Sequence, residues 1–366
     1  MAKLKQSLKR QIQETVPFWI IRNRRNMYDE QKLKQYIVDH YGEERLTRAF
    51  IRDMRNAFLF RGVKYKEFFK MKFEEKTKKE RKQFVPRCEE LALYYQVDPR
   101  DKFRMLLEDK YQCYNFFKSY YKRGIIKVNP IDTIHSSQLL ESVLGFINSS
   151  KSGVMLKPYD SSGGQGITII NPPIQEKDLM EICANFSKEF VLEELIIQNE
   201  EMGAFHPRSV NSIRVVSVNY GNEIEVKWPF FRMGRGDSIV DNAAQGGVFA
   251  AIDVFTGKTF AAGDEHSNIV SVHPDSKKSL IGFQIPKWDQ LCQLVKILAG
   301  KIPDCRILGW DMALTDQGWV VVECNYGPHL VYQYIAGSIR KEFEEVRSRL
   351  GAKKYGGYYK RWQFKP

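Results

Sequence analysis

Three oxygen-bearing side chains stand close together late in the chain. In GWDMALTDQGWVVVECNYGPH, residues 309–329, Asp311 is followed by Glu323 and Asn325. Glu323 and Asn325 are two apart in a run of strand formers, so a strand turns both to one face. Asp311, on the preceding strand of a hairpin, can lie across from them. Such a set suits a hard divalent cation, magnesium or manganese, held by one or two carboxylates plus phosphate oxygens. The plainer alternative is a pair of strand ends with exposed polar residues. Against it, Glu323 follows WVVV and precedes Cys324, where a lone charge is costly to bury.

A second stretch has matching chemistry. KPYDSSGGQG, residues 157–166, ends in a glycine-rich turn whose backbone can approach an anion closely. Lys157 adds a positive point charge beside it. The turn lacks the GK[ST] ending of a P-loop and lacks GxGxxG, and a strand follows it instead of a helix. Taken alone, it is also what a glycine hairpin turn looks like.

The elements that must position these groups follow from the pattern. Up to Gly124 the chain is helix-like, with apolar residues at three- and four-residue steps, as in LTRAFIRDMRNAFLF. KMKFEEKTKKERKQF reads as a mixed-charge helix or a mobile connector. From Gly124 the texture changes. GIIKV is a short strand, and SSQLLESVLGFI a helix with a serine start signal. GVMLKPYD and ITIINPP flank the glycine turn as a hairpin. A helix over NPPIQEKDLMEICANFS and a strand over EFVLEELIIQ come next. SIRVVSVNY, EIEVKWPFFRMG, GGVFAAIDVFTG and GWVVVECN are further strands, and WDQLCQLVKILAGKI is a helix. The expected division is a basic helical region over 1–104, a small α+β unit over 105–198, a larger α+β unit over 199–350 and a basic aromatic tail over 351–366.

Composition bounds the rest. A chain of 366 residues with 43% apolar residues buries at least one sizeable core. Six cysteines are scattered singly, with no CxxC pair, which favours reduced thiols in a cytoplasmic protein over a disulfide scaffold or zinc module. No apolar run approaches the roughly 20 residues of a membrane span. The net charge of +13 sits mostly in the first hundred residues, with about 25 Lys+Arg against about 14 Asp+Glu. Such a segment suits contact with nucleic acid, an anionic membrane or an acidic polymer, and equally a solvated helical surface. No nucleic-acid motif is present.

LKPYDSSGGQG, VLEELIIQ and WDMALTDQGWVVVECN together resemble the ATP-grasp superfamily. There, a KP strand precedes a glycine flap, an E-E-L-I-like linker holds adenine, and a D…E-x-N set binds magnesium. LEDKYQCYNFFKSYYKRGI resembles the entry to that fold. HPRSVNSIRVVSV and DNAAQGGVFAAIDVFTG resemble its sugar-transfer-associated, polysaccharide-biosynthesis branch. The likeness covers roughly residues 105–345, and the first hundred match nothing recognised.

The resemblance implies an α+β ATP-grasp fold of two lobes preceded by the helical region. It implies ATP and magnesium as cofactors, with phosphates on Lys110 and Lys157. Ser162, Gly163, Gly164, Gln165 and Gly166 would form the flap. Glu193, Glu194, Leu195 and Ile196 would serve adenine, and Glu200 the ribose, with Glu201 equally placed. Asp311, Glu323 and Asn325 would hold the metal. Several ligases of the superfamily carry an arginine two residues before the first metal-binding Asp, where this chain has Gly309. Arg214 and Arg232 are the candidates to replace that cation, and Asn242 to orient substrate or phosphate. His206 and His329 stay undecided between site and structural roles.

The implied reaction joins a carboxylate to an amine or similar nucleophile through an acylphosphate, in polysaccharide, cell-surface or peptide-conjugate synthesis. A kinase-like phosphotransferase and a non-catalytic nucleotide-binding module are the alternatives. The implied partners are small-molecule or polymer-precursor substrates, with homodimers frequent in the superfamily. Placement is in the cytoplasm or at the inner face of the membrane.

Overall fold

In the computed structural model, the described residues are 24–25, 27–98, 106–107, 109–159, 166–241, 246–264 and 266–354. The chain forms two compact units, residues 99–328 and residues 1–98 with 329–366.

In the discontinuous unit, helices Glu30–Tyr41, Arg48–Arg61, Tyr65–Lys70 and Arg87–Val97 are joined by short turns. Asp29 and Thr47 cap the first two by accepting the Lys32 and Phe50 amides. Within KMKFEEKTKKERKQF, only a 3-10 turn, Phe73–Glu75, and the one-turn helix Lys78–Arg81 form. The core is aromatic, built on Phe68, Phe69, Phe73 and Tyr94. Helix Arg340–Arg349 joins it from the far end of the sequence. Buried Gln333 pairs with both backbone groups of Val85, at 2.9 and 2.8 Å. Arg340 reaches the Phe84 carbonyl at 2.7 Å and forms an ion pair with Glu89.

The continuous unit holds two antiparallel sheets. The smaller comprises β1 (Ile125–Val128), β2 (Val154–Pro158), β3 (Thr168–Ile170) and β4 (Phe190–Glu194), in the order β1-β4-β2-β3. Hairpin β2–β3 pairs Val154 with Ile170 across the glycine turn. Helix Ser137–Ser149, capped by Ser136, lays Leu140, Val143 and Ile147 on this sheet's core.

The larger sheet comprises β5 (Ser212–Asn219), β6 (Ile224–Met233), β7 (Val248–Ile252), β8 (Thr259–Gly263), β9 (Ile307–Thr315) and β10 (Gly318–Tyr326). Their order is β10-β9-β5-β6-β7-β8. β8 has no counterpart in the sequence-based reading, because TFAAG is short and small-residued. Helix Trp288–Gly300 buries Leu291, Val295, Leu298 and Ala299 in the core of this sheet. Alternation sends Leu308, Trp310, Met312 and Leu314 of β9 into that core and leaves Gly309 and Asp311 on the opposite face. Among the described residues, no helix is long and apolar enough to cross a membrane.

Candidate active site

The opposite face of β9 gathers the charges. Asp311 pairs in register with Arg214 of β5 on one side and with Glu323 of β10 on the other. Glu323 reaches that face only because of a bulge. Trp319 and Val321 point into the core, and strict alternation would send residue 323 after them. The register shifts between Val321 and Glu323, so Cys324 takes the core position while Glu323 and Asn325 come out beside Asp311.

Asp311 is 3% exposed and is already engaged. Arg214 closes on it through Nε and Nη2, and Arg232 Nη1 donates to it at 2.9 Å. Burial pushes the Asp311 carboxyl up, but the charges of Arg214 and then Arg232 outweigh it, and the net shift is downward. Arg232 also donates to Asp241 at 3.0 Å, and Asp241 accepts from Ser212 N and Oγ. Arg214 and Arg232, the candidates for the missing cation, thus both meet Asp311. Asp241 is an addition that DSIVD gave no reason to single out.

The glycine at 309 has a steric reason. A Cβ there would sit 2.7 Å from the Pro328 Cβ, so no side chain fits without moving that ring. Cations come from β5 and β6 instead.

The Glu323 side chain is solvent-accessible and makes no hydrogen bond or ion pair with a described residue. Enough protein crowds it that desolvation, then the charge of Asp311, raises its pKa, opposed by Arg214, Lys157 and Lys110. Those last two are the lysines expected on phosphate, so the field of both reaches the carboxylate. The Asn325 Nδ2 is buried without a hydrogen-bond partner among the described residues. Among the described residues no group of three or more His, Cys, Asp or Glu could hold a metal ion. The donors fit a cation in part. Glu323 and the Asn325 oxygen are open, whereas Asp311 is shared with two arginines, so phosphate oxygens would supply much of the shell.

Lys157, on β2, pairs with Glu193 of β4 at 2.5 Å. Arg123 grips the same carboxylate through Nε at 2.7 Å and also through Nη2. Burial acts against the Glu193 charge, yet Arg123 and Lys157 bring its pKa down to about 2. The Glu193 side chain is therefore an anchor for two cations.

Next to it, Glu194 N bonds the Gly124 carbonyl, and Glu194 Oε2 accepts from Gly124 N. Leu195 N and O are taken by Gly153 and Ser152. The backbone groups of Ile196, like those of Ile197 after it, have no partner among the described residues. Glu200 and Glu201 are both exposed, at the start of the short helix Glu200–Gly203. Lys110 begins helix Lys110–Phe116, capped by Asp109. Gly166 ends the flap turn with φ of +70°. Ser162, Gly163, Gly164, Gln165 and Asn242 lie outside the described residues.

His206 is buried in structural bonds, to Ser209 Oγ at 2.8 Å and the Gly236 carbonyl at 3.0 Å. His329 belongs to the discontinuous unit, where it meets the Tyr334 hydroxyl at 3.0 Å. Arg123 was missed, because KRGI reads as an ordinary basic helix end.

The chain is similar to D-alanine–D-alanine ligase from Helicobacter pylori, with 12% identity, a TM-score of 0.40 and coverage of 69% of this chain and 63% of that one. It is similar to D-alanyl-alanine synthetase A from Vibrio cholerae, with 9% identity, TM-score 0.42 and coverage of 67% and 65%. For carboxyaminoimidazole ribonucleotide synthase from Aspergillus clavatus, solved with ATP, the values are 13%, 0.39, 71% and 55%. The chain thus spans between half and two-thirds of the length of these solved proteins. No curated protein matches it. The model of the sugar-transfer associated ATP-grasp family matches residues 90–347, and with its two antiparallel sheets, glycine hairpin and Asp311–Glu323 pairing the chain belongs to that family.

Proposed function

We propose that the protein is an ATP- and divalent-metal-dependent ligase that joins a carboxylate to an amine or similar nucleophile through an acylphosphate. The observation that carries this reading is the outward-turned Glu323, opposite Asp311 and within the field of Lys157 and Lys110. Phosphoryl transfer is mostly positioning and charge neutralisation, and these residues supply both.

Lys157 and Lys110 hold the nucleotide phosphates. Glu193 keeps Lys157 aimed along β2. Ile196 offers its backbone groups to adenine. Glu323 and the Asn325 oxygen hold the cation, with Asp311 steadied beside them by two arginines. When bound, the metal would neutralise charge on the phosphate oxygens. Arg214 Nη1 makes no hydrogen bond among the described residues, which leaves it to face the transferred phosphoryl group.

The substrates are a carboxylate and an amine of a polysaccharide, cell-surface or peptide-conjugate precursor, a reading whose support is the sugar-transfer association in the family's description. Six free cysteines suit a reducing cytoplasm, and the basic N-terminal charge suits an anionic surface at its membrane face.

The test is magnesium-dependent ADP release with fractionated small metabolites and polymer precursors, using the unmutated chain and Glu323→Gln. ADP from one fraction, a condensed product and no turnover by Glu323→Gln support the ligase. A phosphorylated product makes the enzyme a phosphotransferase. Nucleotide binding without ADP in any fraction overturns the catalytic reading.

A further inference from the structure

The bulge that turns Glu323 outward leaves a backbone problem, and Arg123 solves it. Val321 pairs with Met312 and Glu323 with Asp311, so Val322 is the extra residue on β10. Carbonyls at a bulge lose their ladder partners and need donors from elsewhere. Arg123 Nη1 donates to the Val321 carbonyl at 2.6 Å, and Nη2 comes within 3.5 Å of the Val322 carbonyl.

The same guanidinium grips Glu193 through Nε and Nη2 and reaches the Tyr121 carbonyl at 3.1 Å. It also lies over the Tyr121 ring, 4.8 Å from the centroid. Its side chain is only 6% exposed. An arginine has five N–H donors in a planar fork, and these contacts draw on both ends of it. A lysine offers a point charge and cannot span the carboxylate and the bulge together.

A continuous line of contacts results. It runs from Lys157 through Glu193 to Arg123, and from Arg123 through the Val321–Val322 carbonyls to Glu323. One end is the lysine assigned to phosphate and the other the carboxylate assigned to the cation. We infer that Arg123 is a positioning residue that holds the bulge, and with it Glu323, in register with Lys157, so that nucleotide and metal bind as a coupled pair. This inference rests on the function proposed above.

Coupling of this kind has a direct readout. The affinity for ATP is measured by calorimetry on the full chain, once in EDTA and once in excess magnesium. The ratio of the two affinities is the coupling, and by linkage it also measures how ATP tightens the metal. A purely structural Arg123 would change stability and leave this ratio alone.

Loss of a group that orients a metal ligand lowers metal affinity by about 10- to 100-fold, and Arg123→Lys is expected to cut the ratio on that scale. It keeps a cation beside Glu193, so ATP affinity in EDTA stays close to that of the unmutated chain. Lys157→Ala is expected to lower both affinities together. Glu193→Gln, which unloads one side of Arg123 and releases Lys157 without touching the bulge, serves as the second variant: it lowers ATP affinity in EDTA as well and shifts the ratio in the same direction. Electron paramagnetic resonance of manganese reads the metal side independently, as a weaker manganese–ATP complex in both variants.

A ratio unchanged in folded Arg123→Lys and Glu193→Gln overturns the inference while leaving the function standing. No ATP binding by the unmutated chain in either condition overturns the function, and the inference with it.

Discussion

Asp311 on β9 and Arg214 on β5 face each other in register, and Arg214 takes the carboxylate with both Nε and Nη2. The pair lies where the first metal-binding acid is expected, so this acid arrives with its charge already balanced. Its role is to fix the geometry of the face as much as to bind. Glu323, which has no such partner, carries the net negative charge toward ligand.

Breaking the Asp311–Arg214 pair has a predictable cost. Removing one member of a buried ion pair leaves the other uncompensated and destabilises by about 3–5 kcal/mol, less here because Arg232 remains. Arg214→Ala is expected to lower the urea midpoint by an amount equivalent to roughly 2–3 kcal/mol and to lower ADP release by about 100-fold or more, the usual loss for a donor to developing charge. Arg214→Lys should recover part of the stability and little of the turnover, since a lysine cannot make the two-point contact. Urea unfolding and steady-state kinetics on both variants check this.

Placing the superfamily's arginine at position 309 should harm this chain. The 2.7 Å approach of a Cβ to Pro328 leaves room for no side chain. Gly309→Ala is expected to destabilise by about 1–3 kcal/mol through overpacking, and Gly309→Arg by at least as much. A melting temperature equal to that of the unmutated chain in Gly309→Arg would show that Pro328 yields freely.

Acid should act on the small sheet through Glu193. Its folded-state pKa of about 2 lies below the unfolded value of 4.5. The group therefore contributes stability that is fully present above pH 4.5 and is lost as pH falls toward 2. The whole difference corresponds to about 3 kcal/mol. Lys157→Ala removes one of the two cations and is expected to shift the acid-unfolding midpoint to higher pH, as followed by circular dichroism.

Glu90, in the discontinuous unit, gives the opposite slope. Burial raises its pKa from 4.5 to about 7 despite its ion pair with Arg87, and its Oε1 has no hydrogen-bond partner. Its contribution is fully present below pH 4.5 and fades as pH rises through 7. Glu90→Gln is expected to flatten the stability of this unit between pH 5 and 8, the slope and not the absolute value being the readout because Arg87 loses its partner. Thermal melts across that range, read from this unit's tyrosines, test it.

The parts of the fold set by local chemistry were legible in the sequence. Ser136 announced the helix behind it, and the β2–β3 hairpin followed from strand formers on either side of glycines. The two-residue spacing of Glu323 and Asn325 put them on one face, where the structure has them. The reason differs from simple alternation, because WVVVEC is apolar on both faces and hides its bulge. The only trace of it is Cys324 taking a core position that the Trp319–Val321 period would deny it. Arg123 and Asp241 were not legible at all. Their partners lie up to 199 residues away for Arg123, and nothing local marks a charge that will be buried. Pairing of Gln333 with Val85 was hidden for the same reason.

That last pairing sets an order of events when the chain is made. Gln333 and Val85 are 248 residues apart. At about 5–20 residues per second, the helices before residue 98 wait roughly 12 to 50 seconds for the segment that completes their core. Both sheets of the continuous unit are fully synthesised in the interval. Val85 meanwhile lacks its Gln333 partner, so this unit, begun before the two sheets, completes its core only after both have been made.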